Sequence, residues 1–403
     1  MPDKDSPHIG TRIAEERTRA HLTQRGLAGR AHVSLSILSK VESGHRPASP
    51  ALIAACARAL GIESSTLMGQ PYTDALRVER FGAPLAAIRA SLENWGDVAL
   101  DEAVPPRPLA EITKDVNHLG SLRRSAAYLD VATKAPALID ELVEASHRYE
   151  GADRERAHRL LAYTYRCVHD VAHKLGHLDL GNTILARMSH SAERSDDPYM
   201  VTLTAYLRAQ SCFNTGRHEV GLRLMSRSLK EVEEAAAAGE VAALCVQGNL
   251  RLRATMLAAR SQDSDQAGAE WAEAYETAQR LGRDTQNYVL SFGPTNTAIH
   301  KIAMEVELGE YGTAVQSARS VRFSREFTQT YPDRVGHHFI DLSRAQLWTG
   351  DRAGSEASLH RARKAAPQQA RFHPHARETV LALRRAERQS SQTLSNLAHW
   401  MGL

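Results

Sequence analysis

The sequence predicts an all-α fold in which a small helical head precedes a long array of helical hairpins. Only 5% of its 403 residues are aromatic, whereas Ala, Leu and Arg are abundant, and this composition favours helices over a sheet. Apolar residues recur at helical spacing between residues 22 and 44. Turns containing glycine recur near Gly176, Gly216, Gly309 and Gly350, with gaps of 40 and 41 residues within the first and last pairs.

Residues 22–44 have the spacing of two short helices joined by a tight turn. The residues predicted to shape the first helix are Thr23 as its cap and Leu27, Ala28 and Ala31 on its inner side. His32 and Val33 make the predicted turn, and Ser34 caps the second helix. That second helix turns Leu38 and Val41 inward, and Gly44 ends it.

The opposite face of the second helix is small and mostly polar. It carries Leu35, Ser36, Ser39 and Lys40, and such a face can approach base edges in the major groove. Leu35 has the apolar surface to contact a thymine methyl group, and Lys40 can reach a base edge or a phosphate.

The pattern L-T-Q-x-x-L-A-x-x-A-x-V-S-x-S-x-L-S-K-V-E-S-G resembles the Xre/lambda-repressor-like family of bacterial helix-turn-helix domains, over about residues 9–67. The resemblance implies a five-helix DNA-binding head at residues 9–70 and an ion pair between Arg17 and Glu42. His32 stands where the family usually has a turn glycine, so a left-handed backbone there is slightly strained. The residues that we predict to contact DNA are Thr23, Gln24, Ser34, Leu35, Ser36, Ser39, Lys40 and Arg46.

The positive charge of the chain is concentrated in this head. Residues 9–69 contain eight Arg or Lys against four Glu, a net charge of +4, which leaves −1 for the rest of the chain. A basic head on a nearly neutral body suits a phosphate-binding module with a separate partner-binding part.

Residues 71–108 are predicted to link the head to the repeats. A helix is expected over residues 72–94, after a polar lead over residues 1–8 and the head itself. The prolines at 105, 106 and 108 exclude a helix, so a hinge or rigid connector is expected there.

Residues 109–403 are predicted to form an α-solenoid. The interval between Gly216 and Gly309 has room for two units, with a further turn near Gln262. The glycine turns and the alanines of each second helix resemble a tetratricopeptide repeat array, although these units are longer than that family's usual repeat. Such arrays form a superhelix whose concave wall is lined by the first helix of each pair.

Residues at two fixed positions before each turn form a candidate ligand site. Counting 13 and 9 residues back from the turns at Gln262, Gly309 and Gly350 selects polar pairs, namely Asn249 and Arg253, Asn296 and His300, and His337 and Asp341. Residues four apart share one helical face, so three successive units would present polar pairs on one wall. Tyr163, Cys167, Leu203 and Leu207 occupy these positions in earlier units and make that end apolar. A peptide or small-molecule groove is expected here.

No pattern typical of an enzyme, a cofactor or a metal occurs in the sequence. P-loop, zincin, nucleophile-elbow and dinucleotide fingerprints are missing, so we expect neither catalysis nor a cofactor. His337-His338 and His373-Pro374-His375 lack the partners of a tetrahedral metal site. Four scattered cysteines suit a core in a reducing cytoplasm, and neither a signal peptide nor a membrane span is expected.

Together these features predict a bacterial, cytoplasmic, sequence-specific transcription regulator. The resemblance implies a homodimer on double-stranded DNA, nucleoid-associated when bound, whose repeats sense a peptide or small-molecule effector. An alternative is a repeat-based adaptor that binds a protein partner constitutively and uses DNA only for localisation. An antitoxin-like repressor is a third, which the large C-terminal part makes less suitable.

Overall fold

In the computed structural model, residues 8–93, 105–288, 290–386 and 391–403 are described. These residues form 23 α-helices and one two-stranded sheet, which confirms the predicted all-α fold. The lead predicted over residues 1–8 lies outside the described residues except for His8, and Asn94 of the predicted linker helix lies outside them too.

Five helices form the N-terminal part, which we call the head. They are α1 (Ile9–Arg19), α2 (Gln24–Ala31), α3 (Leu35–Glu42), α4 (Pro50–Leu60) and α5 (Ser64–Met68). Their apolar sides share one core, which includes Ile13, Leu27, Leu38, Val41 and Ile53. This core contains no residue from the rest of the chain, so the head has its own centre of packing.

Local chemistry explains where the head helices begin and end. The hydroxyl of Thr23 accepts a hydrogen bond from Gly26 N at the start of α2, and Ser49 caps α4 in the same way ahead of Pro50. His32 ends α2 with φ of 54°, which confirms the left-handed turn. Ser34 stands at the predicted N-cap of α3, but its hydroxyl makes no capping hydrogen bond.

Two helices occupy the segment in which one linker helix is predicted. These are α6 (Thr73–Val78) and α7 (Gly82–Glu93), and Phe81 between them is fully buried. Leu76, Phe81 and Ile88 belong to the largest core of the molecule, together with residues of α8 to α12. The helix breaks because the chain turns to bury Phe81, so this segment packs as part of the helical body.

The proline-rich connector is fastened to the body at its last residues. Arg107 donates to both carboxylate oxygens of Glu141, at 2.9 and 2.7 Å, and lies 2.9 Å from Asp115. Tyr149 Oη donates to the Arg107 carbonyl at 3.3 Å. Residues 105–108 are therefore held in place, whereas Val104 lies outside the described residues.

Helices α6 to α23 form what we call the body, and most of its helices pair across short turns. After the pair α8 (Leu109–Arg124) and α9 (Tyr128–Arg148), five further pairs follow: α10 (Gly151–Leu175) and α11 (Leu178–Ala192), α12 (Met200–Thr215) and α13 (His218–Ala237), α14 (Val241–Arg260) and α15 (Ser264–Leu281), α16 (Pro294–Leu308) and α17 (Tyr311–Ala318), and α19 (Pro332–Trp348) and α20 (Arg352–Ala365). The remaining helices are α18 (Arg325–Thr330), α21 (Pro367–Phe372), α22 (Pro374–Ala386) and α23 (Gln392–Met401).

The turns of the five later pairs lie where the sequence predicts them. Gly176, Gly216, Gly309 and Gly350 have positive φ, and Gln262 adopts φ of 64° in the third pair. A left-handed residue lets the chain reverse at once, and glycine adopts it without steric cost.

A β-hairpin interrupts the series between the third and fourth pairs. Strands β1 (Thr285–Asn287) and β2 (Leu290–Phe292) pair antiparallel, with Thr285 opposite Phe292. Phe292 is fully buried on α14, where a Cβ atom added to Gly248 would lie 1.9 Å from the Phe292 ring. Together with the α14–α15 pair, which turns at Gln262, this insertion fills the long interval between Gly216 and Gly309.

Hydrogen bonds dock the head on the body from two sides, and Gln70 Nε2 adds a further one by donating to the Lys174 carbonyl at 3.4 Å. Arg58 Nη1 donates to the Thr215 carbonyl at 3.1 Å, and Ser64 Oγ donates to the Asn214 carbonyl, so α4 and α5 contact the turn after α12. On the other side, the backbone N–H of Ile9 donates to Glu378 Oε2 of α22 at 3.2 Å.

Candidate functional site: the recognition helix and a basic cavity

The outward face of α3 is open in the part of the chain that the structure describes. Leu35, Ser36 and Lys40 are exposed, and no hydrogen bond or ion pair joins their side chains to a described body residue. Of the other predicted contacts, Ser39 is half-buried, whereas Thr23, Ser34 and Arg46 are exposed. The small predicted face is thus available to a macromolecule.

An ion pair fixes α3 against the preceding helices. Arg17 Nε and Nη2 donate to the two oxygens of Glu42 at 2.8 and 3.0 Å, and Arg17 Nη1 donates to the Leu22 carbonyl. The hydrogen bond that Arg17 donates to Glu42 is the main cause of the raised pKa of Arg17. Gln24, a predicted DNA contact, donates to Glu42 Oε2 at 2.8 Å, so its amide nitrogen is already engaged.

A cavity of about 280 Å³ lies in the body beneath the head. The head contributes Pro50, Ser65, Met68 and Gln70 to its wall. Most of the rest comes from the first helices of the hairpins and from α21 and α22, with Tyr128 of α9 and Leu178 of α11 added from two second helices. Because two separately packed regions meet here, the shape of the cavity depends on the position of the head.

Three of the six predicted ligand residues line this cavity, namely Arg253, His300 and His337. Arg253 stacks on Tyr206, with its guanidinium carbon 4.1 Å from the ring centroid, and lies 5.2 Å from the Phe213 centroid. The structure does not bring the other three to the wall.

Asn249 and Asn296 lie deeper in the helices. Asn249 is buried and donates to the Cys245 carbonyl at 2.8 Å, and Asn296 donates to the Ser291 carbonyl at 2.7 Å. Asn296 still affects the cavity, because its Oδ1 accepts from Arg334 Nε at 2.8 Å. Asp341 lies 3.5 Å from Arg344, and burial raises its pKa to about 6.

The apolar part of the cavity differs from the one predicted. Cys167, Leu203 and Leu207 lie in the main hydrophobic core, and Tyr163 stacks on Tyr288 of the β-hairpin. Phe213, Leu252, Met256 and Phe372 line the cavity instead. The repeat positions identified the correct helices, but only one residue of each predicted pair faces the cavity.

The cavity wall is rich in cations. Its charged residues are Arg123, Arg166, Lys174, Arg253, Arg260 and Arg334 against Asp170 and Asp333. Both carboxylates are bound to arginines: Arg123 Nε donates to Asp170 at 2.6 Å and Arg123 Nη1 to Asp333 at 3.2 Å, while Arg166 also lies 2.5 Å from Asp170. These bonds join α8, α10 and α19 beneath the cavity.

Five histidines on the same wall are held in the neutral form. Burial, followed by neighbouring cationic groups, lowers the pKa of His173 and His300 to about 3, and those of His337, His373 and His375 fall well below the usual value. Burial also lowers the pKa of Lys174 to about 8. His337 Nε2, 2.8 Å from Lys174 Nζ, accepts a hydrogen bond from that ammonium, which has no lone pair to offer.

Sequence spacing missed several wall residues that the structure brings together. Arg334 precedes His337 by one helical turn and shares its face, so extending the polar stripe would have found it. His373 and His375, which lack the partners of a metal site, line the cavity. No group of three or more His, Cys, Asp or Glu that could hold a metal occurs among the described residues. Gln70 and Gln369 gave no signal because neither occupies the repeat positions that select the polar pairs.

Comparison with known proteins identifies the first part of the chain. Residues 8–67 match the family model of a helix-turn-helix domain. The chain thus carries a helix-turn-helix domain followed by a helical body, and such a domain suggests a DNA-binding regulator. No helix in the described ranges is long and apolar enough to cross a membrane.

The family match ends before the body begins. No curated protein matches the chain. Among solved structures, the crystal structure of BtubC (BKLC) from P. vanneervenii is similar at 18% identity and a TM-score of 0.35, over 67% of this chain and 91% of that one. This similarity is too weak to bear on fold or function.

Proposed function

We propose that this protein is a sequence-specific DNA-binding transcription regulator whose helical body binds a small-molecule effector. The observation that carries the proposal is the cavity wall, which head and body form together. A ligand in that cavity contacts both the head, which binds DNA, and the body, which holds the head in place. No catalytic step belongs to the proposal, since the sequence has no motif of that kind.

DNA binding is assigned to the open face of α3. In this arrangement α3 lies in the major groove, where Ser36 and Lys40 contact base edges or adjacent phosphates and Leu35 contacts a thymine methyl group. Thr23, Gln24, Ser34, Ser39 and Arg46 lie beside this face or at the helix ends and complete the proposed contacts. Arg17 and Glu42 keep α3 at a fixed angle to α1.

The turn after α12 is the proposed connection by which effector binding changes the position of the head. His173 lies 3.1 Å from both the Asn214 and the Gln210 side-chain amides, and all three residues line the cavity. The Asn214 carbonyl accepts from Ser64 of the head. A ligand that displaces His173 or Asn214 therefore changes a contact that positions α5.

The proposed regulator acts as a homodimer in the cytoplasm, where its DNA lies. One helix-turn-helix domain covers a single half-site, and two domains related by a two-fold axis read a palindromic operator. The spacing of the half-sites then depends on how the two heads are held by their bodies, which is the property that an effector would change.

Selection from a random double-stranded DNA library with the full chain tests the DNA-binding role. We expect enrichment of one palindromic motif with wild-type protein and with Ser121→Glu, which changes an exposed residue of α8. Ser36→Glu should abolish the enrichment, because it brings a carboxylate to the phosphates. Recovery of random sequence by the wild type, or of the same motif by Ser36→Glu, would contradict the proposal.

A further inference from the structure

We infer that the cavity beneath the head binds a compact organic anion, with Arg253, Arg334 and Lys174 holding its phosphate or carboxylate group. The regulatory consequence of this binding rests on the function proposed above, but the site itself can be tested without DNA. The inference depends on the charge balance of the wall, on cations without carboxylate partners and on a buried amide without partners.

The wall has more cations than its own carboxylates can neutralise. Arg123 forms ion pairs with both Asp170 and Asp333, and Arg166 forms a further ion pair with Asp170. Arg260 has Glu307 at 3.5 Å. Among the described residues, Arg253, Arg334 and Lys174 have no carboxylate within salt-bridge distance. Three cations facing one cavity repel each other, and an anion between them would relieve that repulsion.

Each of these three cations is held in place by groups without charge. Arg253 lies over Tyr206 and Phe213, and within the described ranges its Nε has no hydrogen-bond partner. Arg334 is held by Asn296 Oδ1, which accepts from its Nε at 2.8 Å. Lys174 is held by His337. Neutral supports orient the donors and leave their charge for a ligand.

Gln369 supplies an independent indication of a polar ligand. This residue of α21 lines the cavity and is only 1% exposed. Neither its Nε2 nor its Oε1 has a partner among the described residues. A buried amide without partners is costly, so both atoms point to a ligand that offers an acceptor and a donor. A hydroxylated anion, such as a sugar phosphate or hydroxy acid, offers both.

The size and the apolar lining restrict the ligand further. A volume of about 280 Å³ is just below the roughly 300–1,000 Å³ of pockets that hold drug-sized ligands. Phe213, Leu252 and Met256 provide a surface for a carbon skeleton. A compact metabolite suits these dimensions better than a peptide of several residues.

Thermal unfolding of the full chain with defined probes tests the inference. Glucose 6-phosphate represents a hydroxylated phosphate, citrate a hydroxylated carboxylate, and glucose a neutral control, all at equal ionic strength adjusted with sodium chloride. We expect at least one anion to raise the melting temperature in a saturable way, and glucose to have no effect. The anion that acts identifies whether phosphate or carboxylate is preferred. No shift beyond that of sodium chloride with either anion would overturn the inference.

Variants locate the binding. Arg253→Gln and Arg334→Gln should each raise the dissociation constant of the active anion about tenfold to a hundredfold, as expected for a lost charged hydrogen bond. Arg223→Gln, which changes an arginine with a 70% exposed side chain on α13, is the matched control and should bind as the wild type does. Equal binding by all three variants would overturn the assignment.

Gln369→Met separates ligand binding from a general loss of stability. Methionine is similar in shape and removes the unpartnered amide, so the melting temperature of the free protein should stay the same or rise. Anion binding should weaken at the same time. A lower melting temperature with unchanged anion binding would show that Gln369 is a structural residue, which would overturn its role here.

The operator measurement distinguishes this inference from the proposed function. An anion that binds through Arg253 and Arg334 but leaves operator affinity unchanged would support the site and contradict the regulatory role. Operator affinity that responds to glucose and to neither anion would support regulation and overturn the anion site.

Discussion

Arg17 and Glu42 are the residues on which the geometry of the head most depends. Their side chains are only 16% and 5% exposed, so removing one leaves the other charge poorly solvated. We expect Arg17→Ala and Glu42→Ala each to lower the free energy of unfolding of the head by about 3 kcal/mol, near the lower limit for buried pairs.

A double-mutant cycle in urea checks this pair. The free energy of unfolding should fall much less in the double variant than the sum of the two single decreases. The reason is that the second change removes a charge that already lacks its partner. Glu42→Ala should cost at least as much as Arg17→Ala, since Glu42 also accepts from Gln24. Full additivity would show that the bidentate contact contributes nothing.

Lys40 is the residue at which DNA affinity can be tested most simply. It is exposed in the last turn of α3, so its removal should leave the core intact. We expect Lys40→Ala to weaken binding to the selected operator by about 1–3 kcal/mol, measured by fluorescence anisotropy. Lys114→Ala on α8 is the control. Unchanged affinity with an unchanged melting temperature would remove Lys40 from the interface.

At the scale of elements, the turn between α12 and α13 connects cavity and head. Gly216 has φ of 65°, and a Cβ atom added there would lie 1.6 Å from Arg58 Nη1 and 3.2 Å from the Cβ of Ala54. Gly239 has φ of 86° with no atom within 4 Å of an added Cβ. A side chain at either glycine would therefore strain the backbone, but only a side chain at Gly216 would also collide with the head.

Gly216→Ala should loosen the head, whereas Gly239→Ala should not. Both changes cost about 1–2 kcal/mol in backbone strain. Only Gly216→Ala also displaces Arg58 from the Thr215 carbonyl, so hydrogen exchange in α4 and α5 should quicken in that variant alone. Equal exchange in both variants would mean that this turn does not hold the head.

The helical elements were largely predictable because their causes are local. Thr23, Ser49 and the turn glycines act within a few residues, and even the unmarked turn at Gln262 followed from the spacing. The β-hairpin was missed because strands of three residues are too short to show alternation. The break at Phe81 was missed because it depends on burial against α8 to α12.

For the whole molecule, the neutral histidines of the cavity should make the fold sensitive to acid. An imidazole in the unfolded chain takes up a proton near pH 6.5, whereas His173 and His300 stay neutral in the folded protein down to about pH 3. The unfolded state thus binds more protons, and stability falls as the pH drops from about 6.5 towards 3.

Urea unfolding between pH 7 and pH 5 measures this effect. Each such histidine should lower the free energy of unfolding by up to about 1.4 kcal/mol per pH unit below 6. His337→Gln keeps an acceptor for Lys174 and should reduce the pH slope by up to the contribution of one proton. The control is His399→Gln, which changes an exposed residue of α23. Asp341, whose pKa burial raises to about 6, binds a proton in the folded state over this range and offsets the contribution of one histidine at most. A stability that is flat between pH 7 and pH 5 would therefore contradict the neutral state of the histidines.

The cavity itself could be predicted only in part. Local spacing found Arg253, His300 and His337 because each lies on the first helix of a hairpin. Gln70 of the head and Gln369 of α21 meet there only after the whole chain has folded, and no local pattern encodes such a meeting. Asn249 and Asn296 are not on the wall, although Arg253 and His300 one turn later are, because their side-chain amides donate to the Cys245 and Ser291 carbonyls instead.

The shared wall has a consequence for what the operator does to the ligand. Pro50, Ser65, Met68 and Gln70 belong to the head and also to the cavity. If occupancy of the cavity changes operator affinity by some factor, thermodynamic reciprocity requires DNA to change the affinity of the cavity by the same factor. Molecules seated on the operator and molecules free in the cell would then respond to different concentrations of one metabolite. The DNA sequence would itself set the threshold at which each gene responds.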